Sequence, residues 1–258
     1  MPTFLNDSPV FGPIQSRRLG VSLGINLMPA TGKICSFNCA YCENGLNEQR
    51  RTHDGYTRLD ELEAALITKL AHMLRDGVQP DVLTFAGNGE PTASPVFAQA
   101  VQLVRQIRDS TAPNARISVL SNGMFADKPD VHRALLQVDD NILKLDTADE
   151  SYIKLLDRPA GPYNVEERIA AYASFDGHVK IQTIFVSGTL EGVCVDNTGD
   201  TYVNPWLEAL KKITPQHVFI YTIARAVPIP TLTKVAPHIL DTIASRVRNQ
   251  GLDVSVSY

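Results

Sequence analysis

The sequence predicts an α/β fold of parallel strands with helices packed outside them, and three observations carry that expectation. Short apolar runs that end in glycine, asparagine or serine recur along the chain, as buried strands do. Between them lie stretches with apolar residues three and four apart, as on one face of a helix. The two kinds alternate about six times, and repeated strand-then-helix units imply parallel strands in one sheet. Six units fall short of the eight that close a full barrel.

In chain order, residues 10–20 are rich in turn formers and read as irregular, and residues 21–27 alternate like a first strand. Residues 57–75 read as a helix. Thr57 and Asp60 form its capping pattern, Leu59, Leu62, Leu66, Leu70 and Met73 one apolar stripe, and Gly77 its stop. Residues 82–86 are a buried strand ending in Gly87-Asn88-Gly89-Glu90-Pro91. Ser94 caps a second helix and Pro95 takes its first position, with Val96, Ala100, Leu103, Val104 and Ile107 on the buried face.

The third strand, 117–120, closes on Ser121-Asn122-Gly123, and a short helix follows over 130–138. Residues 142–146 and 179–186 read as strands with part of a helix, 166–173, between them. Trp206, Leu207 and Leu210 mark a helix, 218–223 a sixth strand, and 235–247 the last helix, with Pro237 tolerable in its first turn. The tail, 252–258, alternates like a short closing strand. With no linker, low-complexity segment or repeat, residues 1–258 read as one domain.

The composition, 44% hydrophobic and 20% charged, is that of an ordinary globular chain able to bury a sizeable core. A formal net charge of −4 gives no overall basic footprint for nucleic acid. A local one remains open, because Arg17, Arg18, Arg50, Arg51 and His53 flank a cysteine loop; a solvated face is the alternative. The first seven residues lack a basic and then apolar leader, and no apolar run approaches a membrane span of about 18 residues. We therefore expect a cytoplasmic protein without a membrane partner, a setting where clustered cysteines bind metal more often than they form disulfides.

That loop holds Cys35, Cys39 and Cys42, spaced C-x3-C-x2-C. So short a segment can turn three thiolates toward one place. Zinc usually takes four protein ligands, and neither a second pair nor a histidine within the loop is present. Three thiolates suit a cubane [4Fe–4S] cluster with one iron left open to a small molecule. A zinc loop and three unrelated buried cysteines are the competing readings. Cys194, far from the others, reads as a buried apolar thiol. The six histidines show no ligand spacing, and there is no Walker A loop or G-x-S-x-G elbow.

At the end of the second strand, Gly87 and Gly89 let backbone approach a ligand, and Glu90 with exposed carbonyls suits an ammonium group; a plain turn is the alternative. Lys144 and Asp146 share one strand face, for a ligand or for a structural ion pair. Gln182 and Thr183 are weaker candidates, and Gly188 can be a simple turn glycine. Tyr221 and Arg225 stand at and beyond the end of the sixth strand, where barrels gather their chemistry. Arg225 can offer a planar fork of donors to a substrate carboxylate or phosphate, alone or with Arg17 and Arg18, or can balance an internal carboxylate.

The cysteine spacing, with Tyr41 just before the last cysteine, resembles the C-x3-C-x-aromatic-C signature of the radical S-adenosylmethionine (SAM) superfamily. The resemblance implies a partial (β/α)6 barrel, open on one side. It implies that Cys35, Cys39 and Cys42 hold a [4Fe–4S] cluster whose free iron chelates SAM. Residues 87–91 are similar to that superfamily's G-G-E-P motif, which takes the SAM amino group, but Asn88 stands between the glycines. The resemblance assigns Ser121 and Asn122, and the strand end near Lys144 and Asp146, to the SAM ribose and carboxylate. Residues 11–20, 24–27, 157–161 and 221–228 resemble the Fe–S oxidoreductases grouped with tRNA wyosine-synthesis enzymes.

The activity so implied is reductive SAM cleavage to a 5′-deoxyadenosyl radical that takes hydrogen from a small molecule, a protein or a tRNA base. The electron comes from flavodoxin or ferredoxin. An iron–sulfur electron carrier or a metal-stabilised binding module is the alternative.

Overall fold

A computed structural model of the protein describes residues 4–16 and 18–258. Seven strands run parallel in one curled sheet: β2 (Gly20–Ile25), β3 (Val82–Phe85), β4 (Arg116–Ser121), β5 (Asp140–Lys144), β6 (Lys180–Leu190), β8 (His217–Thr222) and β10 (Val254–Ser257). Their spatial order follows the chain, as expected when each crossover carries the next strand to the same side. The sheet is the partial barrel that the sequence implies. Its two parallel edges, β2 and β10, are not paired with each other.

Helices cover the outer face: α1 (Leu59–Arg75), α2 (Phe97–Thr111), α3 (Pro129–Leu135), α5 (Val165–Ala173), α6 (Asp200–Ile213) and α7 (Pro237–Arg248). Every residue of β3 and β5 is buried, as parallel strands covered on both faces should be. Leu62, Leu66, Leu70 and Met73 make the buried stripe of α1. Leu66 is 0% exposed, so Leu66→Ala should cost about 2–5 kcal/mol of stability, read as a lower urea midpoint at unchanged slope. A loss under about 1 kcal/mol would place that stripe outside the core.

Several elements depart from the sequence reading. Within 10–20, residues 10–16 are not irregular: β1 (Val10–Ser16) pairs antiparallel with β2, with a register shift between Phe11 and Ile14. Gly12 and Pro13 disguise it, and a proline is tolerated there because β1 is an edge strand. The first helix starts at Leu59, because the Thr57 hydroxyl donates to the Asn26 and Met28 carbonyls instead of capping. Its N-terminus is met by Glu61, whose carboxylate accepts from the Arg58 N–H at 3.3 Å.

The second helix begins at Phe97, so Phe97 and Val101 join Ala100, Leu103, Val104 and Ile107 in facing the core, where Val96 was expected instead. The helix α4 (Glu150–Leu156) and the short strands β7 (Val193–Cys194) and β9 (Leu232–Lys234), both paired with the extended end of β6, carry too little local pattern to be read. Cys194 is exposed on β7, not buried. Among the described residues, no helix is long and apolar enough to cross a membrane.

Candidate functional site

The cysteine loop lies beyond the carboxyl end of β2 and is held by backbone on two sides. On one, Ile34 N–H donates to Asn88 O at 3.1 Å and Glu90 N–H to Ile34 O at 3.0 Å. On the other, the segment after α4 takes residues 36–40. Ala40 N–H donates to Leu156 O at 2.8 Å, Asn38 N–H to Asp157 O at 3.0 Å, and Ala160 N–H to Ser36 O at 2.8 Å. Gly89 makes the first contact possible. Its φ is +142°, and a Cβ there would meet Ile34 O at 1.8 Å. Gly89→Ala should cost roughly 1–3 kcal/mol in urea unfolding and loosen the cysteine loop in hydrogen exchange. Unchanged exchange at residues 34–42 would show that the loop does not depend on this bridge.

The three cysteines line a cavity of about 420 Å³, within the range of small-molecule sites. Gly87, Gly89, Glu90, Ser121, Asn122, Lys144, Tyr41, Tyr221 and Arg225 share that wall. Asn88, Pro91 and Asp146 do not: Asn88 and Asp146 bond to other groups, and Pro91 is buried in a short 3-10 turn.

Donors surround the thiols. Lys33 Nζ lies 3.4 Å from Cys42 Sγ, Phe37 N–H 3.4 Å from Cys35 Sγ, and Asn122 Nδ2 3.7 Å from Cys35 Sγ. Burial pushes the Cys35 thiol up to about 12, helped by the Glu90 carboxylate, and lifts the Cys39 thiol well above its ordinary value. These two thiols therefore stay protonated near neutral pH, and a metal must displace their protons to bind.

Glu90 is 2% exposed, and its carboxylate accepts from Thr92 N–H at 3.0 Å, Ser121 Oγ at 2.7 Å and Asn122 N–H at 2.7 Å. Burial raises its pKa despite those bonds. A cation reaching this end of the cavity would meet a carboxylate already fixed in place.

Behind the wall lies a buried ionic network. Lys144 Nζ pairs with Asp146 Oδ2 at 2.9 Å and with Asp157, and the Tyr41 hydroxyl donates to both carboxylates. Burial opposes the Lys144 charge, but Asp146 and Asp157 outweigh it and hold its pKa well above the ordinary value. Burial likewise lifts Asp157 to about 6 against the pull of Lys144. Lys144 also sits 5.1 Å from the Phe37 ring centre and 5.4 Å from that of Tyr41. The ion pair expected as the alternative for Lys144 and Asp146 is thus present, while Lys144 also touches the cavity. Asp157 completes this network; its link to Tyr41 spans 116 residues, so no local pattern reports it.

At the far strands, Arg18 reaches from the turn after β1 to Gln182 Oε1 on β6 at 3.0 Å and lies 4.8 Å over the Tyr221 ring of β8. Arg17 lies outside the described residues. Arg225 pairs with Glu43 Oε2 at 2.6 Å, with the two side chains 55% and 37% exposed. Its carboxylate partner stands at the cavity wall, next to Cys42. Thr183 is spent on structure, donating to Leu145 O at 2.7 Å and accepting from Trp206 Nε1 at 3.0 Å.

These residues fit a cluster. Among the described residues, no three histidine, cysteine, aspartate or glutamate side chains converge tightly enough to hold a single metal ion. Zinc requires sulfurs about 2.3 Å from one point. A cubane would take each thiolate on a different iron, and these three cysteines line one cavity.

A family model for the Radical SAM superfamily matches residues 30–190. The chain is 29% identical over 225 residues to a Brachyspira hyodysenteriae protein named GTPase Obg, covering 86% of this chain and 31% of that one. It is 29% identical over 223 residues to a UPF0026 protein of Helicobacter pylori, covering 84% of this chain and 66% of that one. The chain thus spans about a third of the first relative and just under two thirds of the second. Its fold is similar to that of a radical SAM methyltransferase from Sphaerobacter thermophilus, with a TM-score of 0.65 at 17% identity, over 92% of this chain and 66% of that one.

Proposed function

The chain belongs to the radical SAM superfamily, and from that premise we propose that Cys35, Cys39 and Cys42 hold a [4Fe–4S] cluster beside a SAM molecule in the 420 Å³ cavity. The observation that carries this reading is that the three thiols and the buried Glu90 carboxylate line one cavity. Bound and reduced there, cluster and SAM together supply a 5′-deoxyadenosyl radical, with loss of methionine, for hydrogen abstraction from a substrate.

The chain's own residues bind, orient and exclude water. Lys33, the Phe37 N–H and Asn122 Nδ2 donate toward sulfur and hold the loop's thiols in place. Glu90 takes the SAM ammonium, held still by Ser121, Asn122 and Thr92. Lys144 offers its charge at the cavity wall while Asp146 and Asp157 fix it from behind. The substrate is a small molecule, a protein or a tRNA base, and the acidic balance favours the first two. The electron comes from a donor such as flavodoxin or ferredoxin. GTP hydrolysis is not carried over from the Brachyspira relative, because this chain spans 31% of that protein and has no Walker A loop.

Anaerobic reconstitution tests the reading. Reduced protein given SAM should release methionine and 5′-deoxyadenosine; a protein that cycles its cluster without consuming SAM would be an electron carrier instead. Arg225→Lys should leave stability within about 1 kcal/mol, since the pair with Glu43 is exposed. It should still cleave SAM but form less substrate product per 5′-deoxyadenosine, with tRNA among the substrates offered. An unaltered ratio would remove Arg225 from the substrate site.

A further inference from the structure

Asn88 stands in the middle of residues 87–91, yet its side chain is absent from the wall of the cavity that Gly87, Gly89 and Glu90 line. Its Oδ1 accepts from Asn6 N–H at 2.7 Å and from Asn6 Nδ2 at 3.3 Å. Its Nδ2 donates to Asn6 O at 2.8 Å and to Pro29 O at 2.9 Å. A primary amide has two acceptor lone pairs and two N–H donors, so every site on it is used. The residue is 0% exposed, where stranding any of them is costly. Nothing on this amide is left for a ligand in the cavity.

What the amide holds is segment 4–8, whose Phe4 and Asn6 line the cavity. The same segment is tied a second time. Phe4 N–H donates to Glu43 O at 3.2 Å, and Asn44 Nδ2 donates to Phe4 O at 3.0 Å. Glu43 and Asn44 directly follow Cys42, so the segment bridges from the 87–91 turn to the cysteine loop.

We infer that Asn88 is a positioning residue: it clasps segment 4–8 in place as one wall of the cavity, and so limits how freely solvent reaches the three thiols. The clasp is independent of what fills the cavity; that the contents are a cluster and SAM rests on the reading above. The asparagine between the glycines then has its own task, one that a glycine at that position could not perform.

The test is the rate at which N-ethylmaleimide alkylates Cys35, Cys39 and Cys42 in the cluster-free 258-residue chain. It is read by peptide mass spectrometry in a Cys194→Ser background, which removes the exposed thiol. Asn88→Gly should speed alkylation roughly tenfold, equivalent to about 1.4 kcal/mol of lost clasp. Deleting residues 1–7 should do the same, and the two changes together should be no faster than either, because both undo one contact. Asn44→Ala removes one of the two bonds of the other tie without touching residues 87–91, and should accelerate alkylation even where Asn88→Gly unfolds. If the deletion leaves the rates unaltered, the segment covers nothing and the inference falls. If the effects of deletion and Asn88→Gly multiply, Asn88 acts through Pro29 rather than through the segment, and it falls equally. Because alkylation needs no cofactor, a failed cluster reconstitution would sink the functional reading and leave this test standing.

Discussion

Replacing any one of Cys35, Cys39 or Cys42 by alanine is expected to abolish the broad iron–sulfur absorbance and SAM cleavage together. Three thiolates are the full complement of protein ligands that the C-x3-C-x2-C loop offers, and the fourth cysteine cannot substitute. Cys194 is exposed on β7, in a hairpin with the end of β6, and does not line the cavity. The loop is also held by bonds that do not involve the thiols. Its backbone bonds to Asn88, Glu90, Leu156, Asp157 and Ala160 remain in each variant. The expected result is thus a folded protein, by circular dichroism and urea midpoint, that holds little iron after anaerobic reconstitution. Cys194→Ala should keep both iron and SAM cleavage. Equal loss of iron in Cys194→Ala, or full retention in one of the other three, would overturn the three-cysteine assignment.

Glu90→Gln should weaken SAM binding roughly ten- to hundredfold while sparing the cluster, because a charge-assisted hydrogen bond is worth about 1.5–3 kcal/mol. The geometry sharpens this expectation. Each Glu90 oxygen already faces donors, so the NH2 of glutamine must point a donor at Thr92 and Ser121 or at the Asn122 N–H. The variant therefore loses charge and also disturbs the end of β4. Urea unfolding of the cluster-free variant separates the two effects, since disturbed structure lowers the midpoint without SAM present. Calorimetry showing unchanged SAM affinity would reduce residues 87–91 to a plain turn.

The pH dependence has a definite sign. Burial raises the Glu90 pKa, so in the ligand-free protein this group contributes stability that is present below the ordinary glutamate value and lost as pH rises through the raised one. SAM affinity should run the other way, falling as pH drops through that raised value, because the protonated carboxyl no longer attracts the ammonium.

Much of the architecture was readable without coordinates. The six strands and the closing tail were found, along with most of the helices, because buried strands and amphipathic helices write their burial into local periods. The strand β1 was missed because Gly12 and Pro13 interrupt its alternation. Boundaries at Thr57 and Ser94 slipped because a cap is set by where its hydroxyl finds a partner, and Thr57 found the Asn26 and Met28 carbonyls.

The site divides along the same line. The sequence singles out the cysteine loop, Glu90 and Lys144 by spacing and strand ends, and Ser121 and Asn122 by the superfamily resemblance, and the fold brings them to one cavity. Spacing could not tell which neighbour points where. Asn88, one residue from Gly87 and Gly89, turns to Asn6 across 82 positions. Arg18 crosses the sheet to Gln182 across 164.

By itself, then, the sequence determined the strand–helix rhythm and the three-thiol loop, since these rest on residue type and short-range spacing, while the chemistry proposed for that loop rests on its resemblance to the radical SAM superfamily. Only the tertiary structure decided that Asp157 braces Tyr41 and Lys144, that Arg225 meets Glu43 beside Cys42, and that Asn88 holds segment 4–8. Those pairings are set by where successive crossovers deliver the ends of the strands, and no local period encodes that.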